Sequence, residues 1–313
     1  MADIVIPEFM DEAAVREGLK EFDVLYDPAL GDRPADLAAA LREARALVVR
    51  NRTLVTAGLL DHAPRLACIG RLGVGLDNID LEACKARGVA VYPASGANDV
   101  SVAEYVIAAA LMLLRGAYAS TPDVIAGTWP RSRLMGRELS GKRLGLVGFG
   151  SIARETAKRA AALDMAVTAT DPFVPPGHPA WSQPYGRVVR LDLDELIATA
   201  DVVSLHVPLT PGTRSLVGGA ALARMKPGAV LINAARGGVV EEAAVAEALR
   251  EGRLGGAALD VFEEEPLSAK RAKMFAGCPN LILTPHVAGV TQEANVRVSW
   301  ATAENVRRHL GSL

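Results

Sequence analysis

Short apolar runs alternate with helical patterns along the whole chain, and no other feature limits the fold so strongly. The first array is Ile4–Ile6, Val24–Tyr26, Ala46–Val49, Leu66–Ile69 and Val89–Tyr92, with helical stretches such as Ala35–Ala44 and Leu81–Arg87 between them. The second is Leu144–Val147, Ala166–Thr170, Val202–Val207, Ala229–Asn233, Ala257–Leu259 and Leu281–Leu283. Such alternation is the mark of βα units and a mostly parallel sheet. Between the arrays, Val100–Arg115 reads as one helix that is apolar almost all round and therefore buried. Ala119–Ser140 is polar and reads as an extended surface arm, and Gln292–Leu310 reads as a final long helix. A chain of 313 residues suits two domains, each with its own core. One boundary is expected at Asn98–Val100 and the other near His286–Gly289, if the last helix returns to the first domain.

Composition excludes several functions. Net charge is −2 and 4% of residues are aromatic, so neither a basic patch nor a set of stacking platforms favours nucleic acid. The longest apolar run, Val106–Leu114, is too short to span a membrane, and the N-terminus lacks the pattern of a signal peptide. Cys68, Cys84 and Cys278 are too few and too scattered for a disulfide framework or a zinc site, so no metal is expected and a reducing cytoplasm fits best.

The first chemistry-bearing motif is Gly148-Phe149-Gly150-Ser151-Ile152-Ala153, which follows an apolar strand and opens a helix. Gly148 allows a tight turn, Gly150 lets the backbone approach a diphosphate, and the helix N-terminus receives the charge. Asp171 lies 18 residues after Ala153, at the end of the next strand. That spacing suits an acid gripping a ribose diol, and its charge disfavours a 2′-phosphate, so NAD is expected over NADP.

Three later strands end in polar segments: Asn233–Gly238, Asp260–Pro266 and Thr284–Gly289. Taken singly, each has a bland reading: Arg236 as a strand-end ion pair, Glu263–Glu265 as a solvated acidic turn and His286 as a capped loop histidine, which a lone loop histidine more often is. Together they supply a cation, an acid and an imidazole at the sheet edge where α/β proteins bind ligands. Oxidising a hydroxyl to a carbonyl beside a hydride acceptor needs such a set.

These segments, with Arg71–Asp80, Ser95–Asn98 and His206–Thr210, resemble in order and over nearly the whole chain the D-isomer-specific 2-hydroxyacid dehydrogenases. The resemblance implies an NAD-binding Rossmann domain, residues 99–287, inserted into a flavodoxin-like substrate domain formed by residues 1–98 and 288–313. Both are doubly wound parallel-sheet domains. It gives Arg236 to the substrate carboxylate, makes His286 the acid/base and pairs Glu265 with it. It adds cofactor contacts at Ser151, Ile152, Asp171, Val207, Ala234, Ala235, Arg236, Asp260, His286 and Gly289, and carboxylate-binding amides at Val74 and Gly75. It implies a homodimer through the long helix and the arm. The rival on the same fold is an NAD-sensing corepressor.

Arg52 stands where the family usually has a small residue, Arg71 follows another strand of the first array, and Arg131 lies in the arm. A second cation in the substrate site would be costly without a second anion. A short dianionic 2-hydroxy acid is therefore expected. The Arg50–Thr53 and Arg71–Asp80 segments look most like those of family members acting on 3-sulfolactate, which puts it ahead of malate and 3-phosphoglycerate.

Overall fold

The computed structural model describes residues 2–312. The chain forms two compact units, Met1–Asn98 with Val290–Leu313, and Asp99–Gly289. The first unit holds β1 (Ile4–Ile6), β2 (Val24–Tyr26), β3 (Ala46–Val49), β4 (Cys68–Arg71) and β5 (Ala90–Pro93). They form one parallel sheet in the order β2-β1-β3-β4-β5, the flavodoxin-like winding. Every residue of β1 and β3 is buried, which is why these strands read as unbroken apolar runs. The final helix, Gln292–Gly311, covers one face through Val298, Ala303, Val306 and Leu310. Its close approach rests on Gly70, where a Cβ would lie 2.7 Å from Thr302 Cγ2 and 2.8 Å from Val306 Cγ2.

The second unit holds β6 (Arg143–Val147), β7 (Ala166–Thr170), β8 (Ser182–Gln183), β9 (Gly186–Arg187), β10 (Val189–Arg190), β11 (Val202–Leu205), β12 (Val230–Asn233), β13 (Gly256–Leu259) and β14 (Leu281–Leu283). Seven of them make a parallel sheet in the order β10-β7-β6-β11-β12-β13-β14. This is a Rossmann winding with one further strand. β8 and β9 form a separate antiparallel hairpin.

The long helix is Asp99–Arg115, and it packs Val106, Ile107, Ala110, Leu113 and Leu114 against Leu144, Leu146 and Ile232. It is not buried all round as its composition suggests. Val100, Glu104, Ala108 and Met112, four residues apart, form an exposed stripe. The arm is also not simply extended: it contains a short 3₁₀ turn, Ala117–Ser120, and a helix, Thr121–Ile125, with Pro122 in its first turn. Proline's fixed φ is favourable at that position, so a local signal for helix lies inside the polar stretch. Ile125, Trp129 and Met135 in this arm are strongly exposed. Among the described residues no single helix is long and apolar enough to cross a membrane.

Candidate active site

In the second unit the strand order reverses between β6 and β11, and open α/β sheets bind ligands outside the carboxyl ends of strands at such a point. The glycine turn leaves β6 there. Gly148 has φ +90°, and a Cβ on it would meet the His206 carbonyl oxygen at 2.5 Å and Val207 Cγ1 at 3.0 Å. Gly150 is the cap residue of the helix Ser151–Ala162, and nothing lies within 4 Å of where its Cβ would be. That helix has no side-chain cap and no acid in its first turn. Its first N–H groups and the positive end of its dipole are thus left for an anion, and the cradle fits a dinucleotide diphosphate. Ser151 and Ile152 form its first turn, and the Ser151 hydroxyl donates to Asp99, whose carboxyl is pushed up by burial.

Asp171 follows β7. One carboxylate oxygen accepts the Phe149 N–H at 2.8 Å and the other accepts the Phe173 N–H at 2.8 Å. Asp171 therefore holds the glycine turn in shape, and each oxygen keeps a further lone pair for a ligand hydroxyl. At the neighbouring strand end, burial pushes the His206 imidazole down to about 4, so it is neutral near pH 7. Its Nε2 lies 3.0 Å from Ser204 Oγ.

β12, β13 and β14 deliver the three polar segments. Asn233, buried at the end of β12, donates from Nδ2 to the Arg236 carbonyl at 3.0 Å and accepts the Ala235 N–H on Oδ1 at 3.1 Å. This folds Ala234, Ala235 and Arg236 into a tight loop. The Arg236 guanidinium donates from Nη1 to the Ala235 carbonyl at 2.6 Å. Gly237 packs so closely on the next loop that a Cβ would fall 1.7 Å from the Phe262 carbonyl oxygen.

Asp260, at the end of β13, is 1% exposed. Its Oδ1 accepts the Thr284 hydroxyl at 2.6 Å and the Val287 N–H at 2.8 Å, and its Oδ2 accepts the Ala288 N–H at 2.8 Å. Its carbonyl accepts the His286 N–H at 2.8 Å. Tyr105 Oη lies 2.6 Å from Thr284 Oγ1 and extends the chain to the long helix. These bonds hold His286 at φ +56°, a left-handed conformation that costs a non-glycine residue about 1–3 kcal/mol and persists where the surroundings fix it. Asp260 thus acts first on the loop that carries His286 and Gly289.

His286 Nδ1 lies 2.7 Å from Glu265 Oε2, and Glu265 Oε1 accepts the Phe262 N–H at 2.9 Å. Burial pushes the Glu265 carboxyl up. The His286 hydrogen bond, the Phe262 amide and the charges of His286 and Arg236 outweigh it, and Glu265 sits below the ordinary carboxylate range. The pair opens into a pocket of about 520 Å³ lined by Phe262, Leu267 and Leu283 among others. Among the described residues no group of three His, Cys, Asp or Glu side chains is placed to hold a metal.

Arg52, Arg71, Val74 and Gly75 belong to the first unit. Val74 is exposed in the loop after β4, and Gly75 follows it. Arg71 folds back to donate from Nη1 to the Leu72 carbonyl at 2.7 Å. On this geometry Arg52 is half-exposed and already paired. Its Nη1 donates to Asp32 Oδ2 at 3.0 Å and Oδ1 at 3.1 Å, and its Nη2 donates to the Pro28 carbonyl at 2.9 Å. Buried Glu8 beneath it accepts the N–H groups of Arg50, Asn51, Arg52 and Thr53 at 2.9–3.2 Å. Arg52 thus has a counter-ion and does not by itself demand a second substrate anion. Arg131 is exposed in the arm.

Sequence reasoning missed Tyr105, Glu242 and Arg271, which support the loops. Each sits at an ordinary helical position, and nothing local marks its partner.

A family model described as D-isomer specific 2-hydroxyacid dehydrogenase, NAD binding domain, matches residues 107–288. The chain is 56% identical over 311 residues to (S)-sulfolactate dehydrogenase of Chromohalobacter salexigens, with 99% of each covered. It is 38% identical over 312 residues to D-3-phosphoglycerate dehydrogenase of Methanocaldococcus jannaschii, covering 99% of this chain and 58% of that protein. Among solved structures, D-lactate dehydrogenase from Aquifex aeolicus complexed with NAD and lactic acid aligns with a TM-score of 0.84 at 28% identity, covering 99% of this chain and 96% of that one. The family model spans more than half of the chain and the similarity to the Chromohalobacter enzyme is full-length, so this protein belongs to the D-isomer-specific 2-hydroxyacid dehydrogenases, NAD-dependent oxidoreductases acting between 2-hydroxy and 2-oxo acids.

Proposed function

We propose that the chain oxidises 3-sulfolactate, or reduces 3-sulfopyruvate, with His286 as acid/base, Glu265 as its partner and Arg236 as the carboxylate-binding cation. The observation that carries the substrate is the 56% identity over almost the full length of a sulfolactate dehydrogenase. The one that carries the roles is the 2.7 Å contact of His286 Nδ1 with Glu265, on loops packed against that of Arg236.

NAD, when bound, would accept the hydride that leaves C2 of the hydroxy acid. With Glu265 ionised, the neutral imidazole keeps its proton on Nδ1 and donates it to Oε2. Nε2 is then the acceptor, and it takes the hydroxyl proton as the C2–O bond becomes a carbonyl. Glu265 stabilises the resulting imidazolium. In reduction His286 returns the proton, while Arg236 orients the 2-oxo acid and meets charge growing on its oxygen. Val74 and Gly75 amides are proposed for the carboxylate, and Arg52 and Arg71 for the second anion. Gly148, Gly150, Ser151, Ile152, Asp171, Val207, Ala234, Ala235, Asp260 and Gly289 are proposed for the cofactor. A homodimer is proposed too, supported by the exposed Val100, Ala108 and Met112 stripe with Ile125, Trp129 and Met135 of the arm. A cytoplasmic site of action is proposed from the free thiols of Cys68, Cys84 and Cys278.

The test is NADH absorbance with purified protein against a panel of 2-hydroxy and 2-oxo acids. The expected result is a kcat/KM for 3-sulfolactate at least about tenfold above lactate and glycerate, about 1.4 kcal/mol, with malate and 3-phosphoglycerate behind. Arg52→Ala should raise KM for the dianion several-fold and leave lactate unchanged. Equal turnover of lactate and the best dianion would remove the second-anion assignment.

The Asp171 carboxylate repels a 2′-phosphate, so kcat/KM with NAD should exceed that with NADP by at least about tenfold. Asp171→Ser should narrow the gap. It should also lower Tm, because the Phe149 and Phe173 amides lose their acceptor. Equal rates with both cofactors in the wild type would take Asp171 off the ribose.

A further inference from the structure

We propose that Arg271 and Glu242 are positioning residues for the Glu265–His286 pair, clamping the Phe262–Pro266 turn so that Glu265 meets the imidazole. This rests on the acid/base reading above. The turn carries three consecutive carboxylates, Glu263, Glu264 and Glu265, which repel one another and splay without a counter-charge. Arg271, on the short helix Ala269–Ala272, supplies it. Its Nη2 donates to Glu263 Oε2 at 2.7 Å, and its Nη1 lies 3.6 Å from Glu264 Oε2. Arg271 therefore grips the two acids immediately before Glu265, and Glu265 is left to His286.

Glu242 fixes the backbone from beneath. It opens the helix Glu242–Arg250, is buried, and accepts the Glu263 N–H on Oε1 at 2.6 Å. Its Oε2 makes no hydrogen bond, and Arg271 Nη2 stands 3.5 Å away. A buried carboxylate oxygen with one cation beside it depends on that cation. Arg271 thus ties side chains and backbone of one turn to a second helix. Arg214 Nη1, 3.8 Å from Glu263 Oε1, adds only a peripheral charge. The planar guanidinium presents five donors in a fixed fork and so suits several carboxylates at once better than an ammonium, with three donors on a flexible stem.

The pH dependence of kcat and kcat/KM is measured for the full-length wild type, Arg271→Met, Arg271→Lys, Glu242→Gln and Glu265→Gln, using NADH and the best 2-oxo acid. NADH affinity and Tm are recorded alongside. Arg271→Met is expected to lower kcat about tenfold, ~1.4 kcal/mol, to leave NADH Kd within about twofold, and to displace the pH profile in the same direction as Glu265→Gln. Arg271→Lys recovers part of the loss, because a point charge meets one carboxylate of the turn. If Arg271→Met is too unstable to assay, Arg271→Lys and Glu242→Gln carry the same readout. A profile that moves in Glu265→Gln but in none of these variants overturns the proposal, since a purely structural residue changes Tm and amount but not the profile. A profile unmoved in Glu265→Gln itself removes the acid/base reading, and this inference with it.

Discussion

His286→Ala is expected to lower kcat by about 10²–10⁴ while NADH affinity stays within about twofold. The imidazole stands at the end of a relay whose other members remain in the variant, so the loss reports proton transfer rather than collapse. Its backbone is held by Asp260 through the His286, Val287 and Ala288 N–H groups, and these bonds do not need the ring. Removing a large side chain from a left-handed position does not remove the strain, so Tm should change little. The pH profile identifies the role. Glu265 is held below the ordinary carboxylate range and stays ionised across a neutral assay range, so it contributes no limb of its own there. Oxidation needs the neutral imidazole, so its rate rises with pH. Reduction needs the imidazolium, so its rate falls. Glu265→Gln removes the anion that stabilises the imidazolium, and both limbs should move to lower pH. Retention of more than about a tenth of kcat in His286→Ala would assign the proton to another group.

Much of the fold is legible in the sequence. Strands buried on both faces leave apolar runs, as β1 and β3 do, and the partly exposed β2, β7 and β14 also fall on apolar runs read from the sequence. β4 runs Cys68–Arg71, two residues later than its apolar run. Leu66 instead closes a turn on Ala63, and the Gly70–Arg71 end joins the ladder through backbone bonds that carry no hydrophobic signal. β10 has two exposed residues at the sheet edge, where no periodicity can develop. Arg236, Glu265 and His286 stand out in the sequence because each lies in a polar segment that follows a strand, and the structure brings Glu265 and His286 together. The supporting shell does not stand out. Glu242 and Arg271 look like ordinary charges on helices, and Asp260 reads as a ligand contact rather than as the acceptor that organises its neighbour's loop. Their roles depend on pairings between distant segments, which composition and spacing do not encode.

The same pairings make Gly237→Ala the substitution with the second largest expected effect, a fall of more than about 10²-fold in kcat/KM, the scale of a 1 Å misplacement in a catalytic constellation. The difficulty is space, not backbone conformation. A Cβ at Gly237 would lie 1.7 Å from the Phe262 carbonyl oxygen, 2.1 Å from its carbon and 2.7 Å from the Glu263 nitrogen. All three are backbone atoms, so no rotamer relieves the contact and the two loops must separate. Arg236 precedes the clash on one side, its carbonyl bound by Asn233. On the other, the Phe262 N–H holds Glu265 Oε1 and Glu263 is fixed by Glu242. Separating the loops draws the cation away from the acid/base pair while leaving each internally bonded. Loss of kcat/KM should therefore exceed the loss of NADH affinity: Ala234 and Ala235 move with Arg236, but the diphosphate turn around Gly148 and Gly150 belongs to a different strand end. Gly252→Ala is the stability control: it meets nothing within 4 Å at φ +68°, so it carries backbone strain without moving either loop. If Gly237→Ala keeps more than about a third of wild-type kcat/KM, close packing of these two loops is not what aligns Arg236 with Glu265 and His286.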